Sequence, residues 1–408
     1  MRKKNRKITI LCFIVFCTFI GCKQKIEKIN DSEPKKELTI SDSLKWSERM
    51  ALSIMKRNSL LWQVDGIEQP LWDYKHGLLA LSFEKLYEKT KDEKYYQYEK
   101  GFADVLIDST GTINNYKMES YNIDLVNSGK ILFNLYEKTK DEKYLTAIQT
   151  LRKQLDGHPR TNSGGFWHKK IYPYQMWLDG LYMGQPFYTR YTVEFEGGKN
   201  LDDIAKQFEL LHTHTLDEKT GLLYHAWDES KQMGWADKET GKSPNFWSRA
   251  MGWYCMALVD VLDYFPADHP KQKQLILYLN EISTALIKFQ DESGIWYQVT
   301  DMGGREGNYL EASGTAMFAY AFAKGADKGY LPANFKDVAN KAFDGLIRAL
   351  VKVDEDGEVH ITQVCKGAGL GGNPYRDGSY EYYLSEDRRV DNLHGLGPFI
   401  LAALALDR

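Results

Sequence analysis

The sequence predicts an all-α protein: an (α/α)6 barrel of six helical hairpins, with short β segments in its rim loops. Three patterns carry that expectation. The decapeptide LYEKTKDEKY stands at 86–95 and again, unchanged, at 135–144. Each copy follows an apolar segment and precedes an amphipathic one, and a repeat interval near 50 residues is that of one helix–turn–helix unit. Apolar periodicity then continues at the same pitch and predicts helices near 42–57, 74–90, 92–107, 124–140, 141–155, 179–194, 199–214, 246–264, 270–290, 309–325, 333–351 and 393–406. Even-numbered members such as GWYCMALVDVLDYF are apolar nearly all round, as inner helices would be, whereas odd-numbered ones carry charge on one face. Finally, SGGFWHKK at 163, TGLLYHAWDE at 220, SGIWYQVTD at 293 and DGEVHITQV at 356 each read as a glycine turn and a short alternating strand across one rim.

The first helix is preceded by a different kind of chain. MRKKNRK and the apolar ITILCFIVFCTFI predict a signal peptide over 1–21, ending in Phe19-Ile20-Gly21-Cys22, with lipid attachment at Cys22. Residues 22–40, charged and proline-containing, predict a flexible tether, and 41–408 the catalytic barrel. The expected location is the bacterial cell envelope, lipid-anchored and either periplasmic or surface-exposed. Loss of residues 1–21 leaves 48 basic against 56 acidic side chains, so an acidic ligand needs a local basic site. That balance argues against nucleic-acid binding. Beyond Cys22 only Cys255 and Cys365 remain, which is no disulfide framework, and no Cys/His spacing predicts a metal. Gly367-Ala-Gly369-Leu-Gly371-Gly372 fits a dinucleotide fingerprint letter by letter, but Asn373-Pro374 follows where a helix is needed, so it reads as a rim loop.

The 10 Trp, 26 Tyr and 18 Phe suit a sugar-binding cleft as well as a core. Aligned on their turns, the inner helices bring Asp73 with His76, Asp124, Asp179, Arg249, Glu311 and His394 to one mouth. Capping accounts for Asp73 and Asp124 but not for Arg249, whose charge opposes the helix dipole. Asp179, hemmed by Trp177, Leu178 and Tyr182, is the candidate general acid, with Asp124 as its partner carboxylate.

MWLDGLYMGQPF, NFWSRAMGWY, YLEASGTAMFAYAFAKG and RDGSYEYYLSEDRRVDNLHGLGPFILA resemble glycoside hydrolase family 105, the unsaturated rhamnogalacturonyl hydrolases, over roughly 42–408. The resemblance implies the same barrel and no metal or cofactor. It implies removal of a 4,5-unsaturated uronic acid from rhamnose-containing oligosaccharides. It makes Asp179 the proton donor and Asp124 its supporting carboxylate, with His168, Trp177, His225, Trp247, Arg249, Trp253 and Tyr74 contacting substrate. Ala250 stands where the family pattern has glycine. The expected protein is thus a monomer whose partners are unsaturated uronyl–rhamnose oligosaccharides, touching the membrane only through its lipid. An inverting glycosidase on saturated glycans and a non-catalytic glycan-capturing surface lipoprotein are the alternatives.

Overall fold

The computed structural model describes residues 39–408; the expected signal peptide, Cys22 and all of the tether but its last two residues lie outside them. The described chain runs through α1 (Trp46–Arg57), α2 (Tyr74–Thr90), α3 (Glu93–Leu106), a 3-10 helix (Ile123–Gly129) leading into α4 (Lys130–Thr139), α5 (Glu142–Gly157), α6 (Leu178–Phe195), α7 (Leu201–Thr215), α8 (Ser248–Val261), α9 (Gln272–Ile287), α10 (Ala312–Asp327), α11 (Phe335–Ala349), α12 (Tyr380–Ser385) and α13 (Leu393–Ala405).

Six of these elements close a ring. The sequence of packing is α2, the 3-10 helix with α4, α6, α8, α10, α13 and back to α2. Around it lie α3, α5, α7, α9, α11 and α1, each on one inner partner, with α1 on α13. The fold is the expected helical barrel. Burial follows from position. In α10 every residue is buried except Lys324, Ala326 and Asp327, as an element with neighbours on all sides requires. Outer α11 buries only Phe335, Ala339, Ala342, Phe343, Gly345 and Leu346, one stripe at helical spacing.

The repeated decapeptide forms the same turn twice. Lys91 and Lys140 end their helices in the left-handed region, at φ 59° and 57°, and Asp92 and Asp141 accept from the backbone N–H of Lys94 and Lys143. The helix expected from 124 starts instead as a 3-10 segment, tightened where it meets α2. A Cβ at Gly77 would lie 2.6 Å from the Ser128 Cα, so only glycine permits that approach.

Four two-stranded antiparallel ladders decorate the rim: β1 (Gln175–Trp177) with β2 (Ala226–Asp228), β3 (Trp296–Tyr297) with β4 (Leu310–Glu311), β5 (Val351–Val353) with β6 (Val359–Ile361), and β7 (Val364–Cys365) with β8 (Arg388–Arg389). Three of the four expected rim segments contribute a strand. SGGFWHKK does not; it makes only the isolated bridges Arg160–Phe166 and Asn122–Lys169. The 367–372 glycines form a rim loop stapled by Arg376, whose Nε donates to the Gly371 carbonyl at 2.8 Å. Cys255 and Cys365 are both buried and unpaired.

Candidate active site

The ladders aim side chains because two of them run straight into inner helices. β1 ends at Trp177, the N-cap of α6, which puts Asp179 in the first helical turn. β2 lies beside β1, and the Leu178 N–H donates to the His225 carbonyl at 3.0 Å. His225 Nε2 consequently sits 3.1 Å from Asp179 Oδ2, close but off line, so neither atom has a hydrogen-bond partner. On its other side His225 Nδ1 lies 2.8 Å from the Tyr383 hydroxyl.

Asp124 is positioned from across the rim. The Ile123 N–H donates to the His168 carbonyl at 3.2 Å, and the bridge from Asn122 to Lys169 aligns the two segments. His168 Nε2 and Lys169 Nζ then meet Asp124 at 3.2 and 2.6 Å. Burial would raise this carboxyl, but Lys169 and His168 outweigh it and hold the group well below the usual carboxylate range. Burial likewise acts to lower the Lys169 amine, and Asp124 reverses it. Asp124 is therefore an ionised carboxylate in a cationic cradle, and it is Asn122 whose side chain accepts from the Asp124 N–H. Lys169 is a site residue the sequence reading passed over, since His168-Lys169-Lys170 looks like a solvated charge run.

Arg249 occupies the first turn of α8, where that helix touches α10 so closely that a Cβ on Gly314 would lie 2.8 Å from Ser248 Oγ. Its Nη1 donates to the Ser313 hydroxyl at 3.2 Å and to the Cys365 carbonyl. Buried Glu311 ties the same groups together. It caps α10 by accepting from the Gly314 N–H at 2.6 Å, and it accepts from Ser313 Oγ and the Cys365 N–H at 2.7 and 3.0 Å. This nearby negative charge offsets the unfavourable dipole. The guanidinium rests 4.7 Å from the Trp247 ring centroid, and the Trp247 indole N–H donates to Gln298. The Nε–Nη2 edge of Arg249 makes no hydrogen bond to the described residues.

A fourth group joins the first and last inner helices. Asn392 donates through Nδ2 to Asp65 at 3.2 Å, which turns its oxygen toward His394 Nδ1, 2.8 Å away. That nitrogen must carry the proton, leaving Nε2 to accept from the Tyr74 hydroxyl at 2.7 Å. Burial, reinforced by Arg249, keeps His394 far below its usual pKa and therefore neutral. Burial holds the Tyr74 hydroxyl far above an ordinary phenol, and Asp124 and Asp179 add to this. Trp253 backs Tyr74 edge-on and stacks on Tyr182 at 4.9 Å. At the open side, Trp177 lies parallel to His168 at 4.6 Å and to Tyr172 at 5.1 Å.

These groups share one mouth of the barrel. Trp247, Arg249 and Trp253 are 1% exposed and Asp124 is buried, while Lys169, Asp73 and Asp179 keep part of their side chains open. At the other end of the inner helices lies a basin of about 740 Å3, whose Lys85, Lys89, Lys324 and Lys336 are all paired with carboxylates. Next to it, a cavity of about 50 Å3 is lined by Lys130, Glu84, Asp260 and Tyr320. Lys130 Nζ has no hydrogen bond, sits 3.5 Å from the Tyr182 ring centroid, and is pushed by burial down to a pKa of about 7. Among the described residues no His, Cys, Asp and Glu cluster could hold a metal, and no helix is long and apolar enough to cross a membrane.

At one mouth of the closed helical barrel stand Asp179, the ionised Asp124 and the buried Arg249, and the chain is a glycoside hydrolase by its family. The model of Glycosyl Hydrolase Family 88 matches residues 46–408, and the chain belongs with the glycoside hydrolase family 105 enzymes. A Clostridium acetobutylicum glycoside hydrolase from family 105 shares 48% identity, covers 89% of this chain and 99% of its own, and superposes with a TM-score of 0.86. An unsaturated rhamnogalacturonyl hydrolase of Bacillus subtilis is 28% identical over 294 residues, 71% of this chain and 78% of that protein. The unsaturated glucuronyl hydrolase of Bacillus sp. GL1, 14% identical, shares the fold over 89% of this chain and 95% of its own with a TM-score of 0.65.

Proposed function

We propose that this glycoside hydrolase is exo-acting. It removes a 4,5-unsaturated uronic acid from the non-reducing end of rhamnose-containing oligosaccharides made by polysaccharide lyases, by hydrating the C4=C5 bond. The observation that carries this reading is the Arg249 guanidinium. Its Nη1 is tied back to Ser313 and Cys365, which leaves the Nε–Nη2 edge as a planar fork for a carboxylate beside Asp179. The names of the related B. subtilis and Bacillus sp. GL1 enzymes support the unsaturated-uronyl class.

In such a substrate the ring oxygen feeds electrons into C4=C5, so C4 is basic carbon. Asp179 gives its proton to C4, and positive charge develops on C5 and the ring oxygen. The Asp179 carboxylate then takes a proton from water as that water adds to C5. The hemiketal opens to a C5 ketone, and the hemiacetal left at C1 expels the saccharide. Asp124, fixed as an anion by Lys169 and His168, is an acceptor for sugar hydroxyls. From the pattern of residues 1–22, the enzyme acts in the cell envelope on a lipid tether.

Turnover of a lyase-generated disaccharide in heavy water should place deuterium at C4, and a sulfur-linked analogue should be cleaved. No deuterium together with an inert thioglycoside would sink hydration and return the site to a two-carboxylate inverting mechanism. Asp179→Asn should reduce turnover about 100- to 10,000-fold with melting unchanged.

A further inference from the structure

Tyr383 belongs to no expected site, yet it is fully buried and its hydroxyl has one hydrogen-bond partner among the described residues, His225 Nδ1 at 2.8 Å. A buried phenol is stabilised by donating its proton, and Nδ1 is the acceptor within reach. Burial holds this hydroxyl far above an ordinary phenol, so it keeps that proton. Nδ1 then offers a lone pair, and the ring hydrogen sits on Nε2, the nitrogen facing Asp179 Oδ2. The opposite tautomer would leave the Tyr383 proton without an acceptor among the described residues.

We propose that Tyr383 is a positioning residue: by fixing the His225 tautomer it turns an N–H instead of a lone pair toward Asp179 Oδ2, 3.1 Å away, and so assigns the transferable proton to Oδ1. Oδ1 is the carboxyl oxygen that carries the side chain's remaining exposure, since Oδ2 is buried. The positive end of the same Nε2–H lies close enough to steady the carboxylate electrostatically after the proton has left. Tyr383 is itself held rigidly, its carbonyl accepting from Gln298 at 3.1 Å and its ring lying 6.0 Å from Trp247. The titratable and charged groups facing Asp179 are His225 beside it, Tyr74 from α2, Arg249 from α8 and Tyr383 from α12. Only the Tyr383 hydroxyl touches Nδ1.

The inference rests on the reading of Asp179 as the acid, and its test separates the two. In 15N-histidine-labelled protein, His225 should show the Nε2–H tautomer in wild type and lose that preference in Tyr383→Phe; this readout needs no substrate. With a lyase-generated disaccharide, Tyr383→Phe should lower kcat about 10- to 100-fold, leave KM within about threefold, and displace the limb of the pH profile assigned through Asp179→Asn. The same substitution in a His225→Ala background should cost nothing further. A wild-type Nδ1–H tautomer, or additive losses in the double variant with an unmoved profile, would overturn the role of Tyr383. Absence of wild-type turnover with the Nε2–H tautomer intact would instead discard the substrate reading. A melting temperature for Tyr383→Phe within a few degrees of wild type excludes simple loss of packing.

Discussion

Arg249 is a cation prepared before its anion arrives. Ser313, Cys365 and Glu311 fix one end of the guanidinium, so the free edge has lost its rotational freedom in advance. Lysine keeps the charge but not the fork. Arg249→Lys should therefore lower kcat/KM on an anionic substrate by about 1.5–3 kcal/mol, while a carboxyl-reduced substrate is treated alike by both forms. An equal loss on both substrates would remove the carboxylate role. Asp124 makes a different statement. Its carboxyl is depressed in the folded state, so it binds fewer protons there than when unfolded. The stability it contributes is present above the ordinary Asp value and is lost as pH falls through the lower folded value. Asp124→Asn should cost about 3 kcal/mol at neutral pH, because Lys169 is left in a half-buried site, and should flatten the stability curve below about pH 4. Urea unfolding at pH 3 and pH 7 checks both.

At the scale of elements, the duplicated turn between α2 and α3 and between α4 and α5 does the same job twice with the same residues. Asp92→Ala should cost about 1 kcal/mol through the lost N-cap. Lys91→Gly should gain about 0.5 kcal/mol by relieving a left-handed residue that glycine adopts freely. The paired changes at Asp141 and Lys140 should match them, and unequal effects would show that the surrounding helices decide the turn. These hairpins were legible in the sequence because an identical decapeptide and a helical period announce them. The short elements were not. β1 spans three buried residues with no alternation to read, and α12 is six residues in a tyrosine-rich segment. Site residues followed the same divide. Asp124, Asp179, Arg249 and His394 were visible as polar groups breaking apolar helices, whereas Lys169 lay in an ordinary-looking charge run. Tyr383 is distinguished from its neighbours Tyr380 and Tyr382 only by His225, 158 residues earlier. Pairings across such separations are products of barrel closure and leave no local mark.

Across the whole molecule, the candidate active-site mouth and the far end of the inner helices divide the polar interior between them. Lys130 at the far end has no described function and an unfavourable address. Between pH 7 and the ordinary lysine value near 10.5 the unfolded chain holds a proton the folded chain lacks. The penalty from Lys130 is therefore full below pH 7 and fades as pH rises through that window. Lys130→Met should stabilise the protein by about 1–3 kcal/mol at pH 6.5 and by clearly less at pH 9.5. A gain that does not change with pH would mean that packing, not charge, sets the effect.

The ring of inner helices is sealed by its two ends. α13 lies against both α1 and α2, the Ser47 N–H reaches the Arg408 carbonyl at 3.3 Å, and Tyr74 shares a hydrogen bond with His394, 320 residues away. The mouth is thus built across the seam, with one wall supplied by the last inner helix to leave the ribosome. Five-sixths of the cylinder can be in place and the enzyme will still be silent, for want of the stave that carries His394. A chain released at Asp391 should show no turnover however well it folds. Birth of activity and completion of the cylinder become one event, and catalytic competence itself reports that the seam has shut.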